Sequence, residues 1–79
     1  MTPERKSEIQ KAIIRAMSAF GVDSSKSHQS MSLFGLSDML RIFPRDEFIH
    51  VLKLMDGVIL DFDVNPSQVH IPMHYFTKS

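Results

Sequence analysis

The 79-residue chain is predicted to be one α+β domain, three helices followed by a β-hairpin, on three observations. Apolar residues recur at helical spacing in three separate stretches. A proline stands between the second and third of these, and the apolar pattern then changes to strand alternation around a cluster of turn formers. With 43% apolar and 23% charged residues the composition is that of a folded domain rather than a disordered one.

The first helix is predicted over residues 2–20. Thr2 can cap it, Pro3 sits where a missing N–H costs nothing, and Glu4 favours the positive end of the helix dipole. Ile9, Ile13, Ala16, Met17 and Phe20 form a single apolar stripe, and Gly21 follows as a left-handed stop. Residues 22–30, which include the serine-rich DSSKSHQS, read as a flexible surface loop.

A short extended piece around Gln29 to Ser32 leads into a second helix at 33–43, with Leu33, Leu36, Met39, Leu40 and Phe43 on its inner side. Gly35 weakens its start, which puts the firm part at Leu36 to Ile42, and Pro44 ends it because the residue before a proline avoids the helical region. The third helix is predicted over 44–56. Asp46 and Glu47 occupy its first turn, Phe48, Val51, Leu52 and Met55 its buried stripe, and Gly57 its end. A hairpin over 57–72 follows, Val58 to Asp63 going out with Ile59, and with it the Val58, Leu60 and Phe62 face, as the candidates for burial, and Gln68 to Ile71 returning. The tail 73–79 carries Met73, Tyr75 and Phe76, which are expected to fold back on the first helix, the alternative being an exposed aromatic anchor for a partner. Three helices and a hairpin, with a very short turn between the last two helices, is the order of a winged helix-turn-helix domain.

On these elements the sequence resembles the winged-helix domain at the C-terminus of eukaryotic minichromosome-maintenance (MCM) helicase subunits. The likeness lies in the long amphipathic helix, the polar loop ending in HQSMSLFGLSDML, the segment PRDEFIHVLKLMDGVILDFD and the last strand VHI, over roughly residues 6–71. The ATPase motifs of those helicases are absent, so the resemblance implies a docking or regulatory module rather than a motor, and a nuclear location in a eukaryote.

Composition removes several chemistries. No cysteine is present, so disulfides, thiolate zinc sites and cysteine nucleophiles are excluded, and an intracellular location is expected. The longest apolar run, Gly57 to Leu60, is far too short to cross a membrane. His28, His50, His70 and His74 lack metal-ligand spacing, Ser32 and Ser37 have no histidine and acid beside them, and the three glycines are explained by helix boundaries. No enzyme activity, metal, cofactor or small-molecule substrate is expected.

Charge then divides the candidate surfaces. Residues 1–45 carry seven bases against four acids, whereas residues 46–79 carry two against five. The outward face of the third helix holds Asp46, His50 and Lys53, with Glu47 and Ile49 on its flanks. With the hairpin acids Asp61 and Asp63 it would repel phosphate. That face is therefore read as a protein-docking surface. Ile49 is its exposed apolar anchor and the acids of helix and hairpin rim a groove, which suits a basic amphipathic partner segment. The alternative is a DNA-binding domain that meets phosphates through Arg5, Lys6, Lys11 and Arg15 of the first helix, or through the wing. DNA binding is expected to be weak or indirect.

Overall fold

The computed structural model describes residues 1–77. Helix α1 (Pro3–Ser18) begins as its sequence dictates, with the Thr2 hydroxyl oxygen accepting the Arg5 amide at 3.1 Å. It ends two residues short of the expected position. The Phe20 and Gly21 amides bond to the carbonyls of Met17 and Ser18 in tightened turns. Phe20 is thereby rotated off the apolar stripe and is 69% exposed, against the expectation that it is buried. Gly21 takes the left-handed conformation expected of a helix stop, with φ of 90°.

The expected loop over 22–30 is shorter. Asp23 organises its start by accepting both the hydroxyl and the amide of Ser25, which hold its carboxyl below the ordinary aspartate range. Residues from His28 onward are already strand β1 (His28–Ser32). The extended piece expected around Gln29 to Ser32 is the body of this strand, and pairing with a distant segment extends it to His28.

Helix α2 (Leu33–Met39) starts earlier than its glycine suggested and stops earlier too. The Ser32 hydroxyl accepts the Gly35 amide at 3.0 Å, so a good cap offsets the weak residue. Turns over Leu40 to Phe43 replace the last predicted turn of helix, because Pro44 forbids a helical Phe43. Leu33, Leu36, Leu40 and Phe43 are buried as expected, but Met39 is not. Helix α3 (Arg45–Leu54) is framed by the Pro44 carbonyl, which accepts the Glu47 and Phe48 amides, and it ends before Met55.

Strands β2 (Ile59–Asp61) and β3 (Gln68–Pro72) form the expected hairpin, with β2 only half as long as predicted. Antiparallel pairing of β1 with β3 completes a three-stranded sheet in the order β1-β3-β2, which the sequence reading had as a two-stranded wing. Register decides which side chains face inward. Leu60 lies opposite Val69 on the helix side, so Ile59, opposite His70, faces out. Ile59 is 52% exposed and Phe62 57%, which corrects the expectation of an inward Ile59.

The core lies between the three helices and the inner face of the sheet. Ile9, Ile13 and Met17 of α1 meet Leu33 and Leu36 of α2, Phe48, Val51 and Leu52 of α3, and Val69 and Ile71 of β3. No polar side chain is buried among the described residues. The tail returns as expected, a 3₁₀ turn at Met73–Tyr75 with Tyr75 and Phe76 half-buried against the core, and the Met73 amide bonded to the Ser27 carbonyl at 2.9 Å. The last two residues of the predicted tail, 78 and 79, lie outside the described residues.

Candidate interaction surfaces

The outward face of α3 is only partly what its periodicity implied. Asp46, His50 and Lys53 are exposed. Glu47 is not free, since its carboxylate accepts the Arg5 Nε–H at 3.0 Å. Ile49 is half-buried and packed against the core cluster, so it is not the exposed anchor of a docking surface. The reason is geometric: at about 100° per residue, position 49 borders the buried stripe of Phe48 and Leu52, and the tertiary contacts around α3 are wide enough to cover that border.

Arg5 belongs to this surface rather than to a phosphate-binding row. Its guanidinium donates to Glu47 and, through Nη1, to Glu8 at 3.1 Å, and it lies 5.0 Å from the centroid of the Phe43 ring. The Glu47 hydrogen bond, then that to Glu8, raise its pKa above the ordinary arginine value. Met1, Arg5, Asp46, Glu47 and His50 line one shallow depression, and neither hairpin aspartate reaches it. Of the four acids expected to rim one groove, this depression therefore brings together Asp46 and Glu47 alone.

The hairpin forms a surface of its own. Asp61 accepts the Asp63 amide at 3.0 Å, which shapes the chain as it leaves β2. Ile59, Phe62 and Val64 are all exposed there, interleaved with the two aspartates. Exposed apolar side chains also occur on and after α2, where Phe34 is 79% and Ile42 82% exposed. Sequence reasoning did not assign either a role. The available signal for Phe34 was its place off the Leu33, Leu36, Leu40 stripe.

The remaining basic residues come together with a segment far away in sequence. Lys6, Lys11 and Arg15 of α1 line a depression with His74 and Tyr75 of the tail. The histidines do not converge. His70 and His28 are each held on the outer sheet face by a serine hydroxyl, Ser30 at 2.6 Å and Ser27 at 2.9 Å, while His50 is on α3 and His74 in the tail. No group of three or more histidine or carboxylate side chains placed to hold a metal occurs among the described residues. Among them too, no helix is long and apolar enough to cross a membrane. Comparison with protein-family models, with curated proteins and with solved structures yields no match.

Proposed function

We propose that the chain is a non-catalytic winged-helix module that docks another protein within a DNA replication, transcription or chromatin assembly. The order helix, strand, helix, helix, strand, strand, with a sheet of order β1-β3-β2, supports the winged-helix reading. The likeness to the MCM winged helix supports the kind of assembly.

One observation carries the docking role. Ile59, Phe62 and Val64 are exposed within six residues, and Asp61 and Asp63 alternate with them. Three large apolar side chains of one hairpin leave about half of their surface in solvent, and apolar area of this kind with a polar border is the make-up of a contact surface. The two carboxylates select the charge of the partner: a basic segment with an apolar anchor is steered by the acids and held by the apolar contact. This transfers the anchor from Ile49 to Phe62 and retains the expected basic partner.

The test is a pair of amphipathic helical peptides with the same leucine positions, one with lysine and one with glutamate on the polar face. The lysine peptide should shift the backbone resonances of residues 59–64. Phe62→Ser should remove that shift without changing the melting temperature, because Phe62 is outside the core. Equal binding of the glutamate peptide, or shifts centred elsewhere, would exclude the hairpin as this surface.

A further inference from the structure

The depression between α1 and the tail is a second surface, which the hairpin reading does not use. Its floor is neutral: Ser7, Gln10, Ile14 and Ser18 follow one another at three- and four-residue spacing along α1. At about 100° per residue, Lys6 falls on one side of that floor and Lys11 and Arg15 on the other. The 3₁₀ turn of the tail adds His74 and Tyr75, whose ring centroids are 4.4 Å apart with a 32° tilt. The groove is open to solvent with a volume of about 950 Å³, and among the described residues no carboxylate lines it. Glu4 and Glu8 border an adjoining depression that shares Pro3, Ser7 and Lys11 with this one, and Glu8 is engaged by Arg5.

We infer that this groove binds single-stranded nucleic acid, its phosphates against Lys6, Lys11 and Arg15 and one base against the His74 and Tyr75 rings. Cations on both rims of an uncharged floor complement a polyanion that lies along the helix. The aromatic pair favours a single strand over a duplex, since an unpaired base can offer its face to a ring, and such stacking tolerates any sequence. A duplex keeps its bases stacked inside and would meet the cations alone. An acidic peptide without aromatic side chains, such as polyglutamate, would satisfy the cations and leave the rings unstacked.

The expected strength follows from the charge count. Three phosphates neutralised on a single strand give a slope of log affinity against log salt of about −2, so raising salt from 50 to 200 mM weakens binding about sixteen-fold. Binding is weak and non-specific at physiological salt, as so few cations require.

The chain has one tyrosine and no tryptophan, so its intrinsic emission reports on Tyr75 alone. Titration of the full chain at low salt with a ten-residue oligothymidylate should quench that emission, after correction for absorbance, with the salt slope above. Lys11→Gln with Arg15→Gln, both exposed on α1, should reduce the slope to about −0.7 at unchanged circular dichroism. His74→Ala should weaken binding about five-fold or more through lost stacking. Four outcomes overturn the inference: no binding at low salt, binding without quenching of Tyr75, equal affinity for a duplex of the same length, or equal quenching by polyglutamate. The last would assign the groove to an acidic protein segment.

Discussion

Arg5 and Glu47, 42 positions apart, are joined Nε to Oε1 at 3.0 Å and fasten the first turn of α1 to the first turn of α3. The same guanidinium holds Glu8 and lies over Phe43, so one side chain links α1, the turn after α2 and α3. Arg5→Gln should lower the melting temperature at low salt by more than Glu47→Gln, which leaves the Glu8 pair intact. The difference should shrink at high salt, because the Glu8 pair, which Glu47→Gln leaves in place, is the more exposed of the two and is screened. Identical effects of the two variants would mean that the Glu8 and Phe43 contacts contribute nothing.

Leu52→Ala should cost about 2–4 kcal/mol, the usual range for a leucine removed from a well-packed core. Leu52 is fully buried on the inner side of α3, against a cluster with few residues able to close the cavity. Small domains have a total stability of roughly 5 kcal/mol or somewhat more, so the variant should be largely unfolded at 37 °C by circular dichroism. A melting temperature within a few degrees of the wild type would contradict this packing.

Ile49→Asp should destabilise the domain, by about 1–3 kcal/mol, since a carboxylate would be placed against apolar neighbours. The periodicity of α3 alone implied no effect. Phe34→Asp and Ile42→Asp are the controls: both positions are open to solvent and should leave the denaturant midpoint nearly unchanged. If Ile49→Asp behaves like these two, its side chain is free and the third-helix face returns as a docking surface.

Gly57→Ala should be more damaging than Gly21→Ala. Both residues have positive φ, 82° and 90°, a conformation that costs other residues about 1–2 kcal/mol. A Cβ at position 21 would meet nothing, whereas one at position 57 would come within 2.8 Å of the Pro72 ring at the end of β3. Chemical denaturation of the two variants measures the difference, and equal midpoints would show that the sheet end shifts without cost.

The helices were legible because their signals are local. Thr2, Pro3 and Glu4 at one helix start, Pro44, Asp46 and Glu47 at another, and Ile9, Ile13 and Met17 on one stripe act through neighbours three or four positions away. The core lists for α1 and α3 follow from the same periodicity, except where Phe20 lies past the end of its helix. The helix ends were less legible. The stops after Ser18 and Met39 depend on tightened turns, and the start at Leu33 depends on the Ser32 cap, whose effect is set against the glycine three residues on.

The sequence by itself determined the number and order of the helices, the hairpin, and the division of charge between the two parts of the chain. Only the tertiary structure decided that His28–Ser32 joins β3 as a third strand, that Ile59 faces out, that Ile49 is covered, and that Arg5 leaves the basic row for Glu47. It also decided that His74 and Tyr75 meet Lys6, Lys11 and Arg15. Each of these depends on which distant segment lies opposite. A strand's facing is set by its partner's register, where a slip of one residue reverses every side chain. An ion pair is set by whichever opposite charge the packed helices bring within reach. Neither quantity has a period along the chain, so no pattern in these residues could have displayed it.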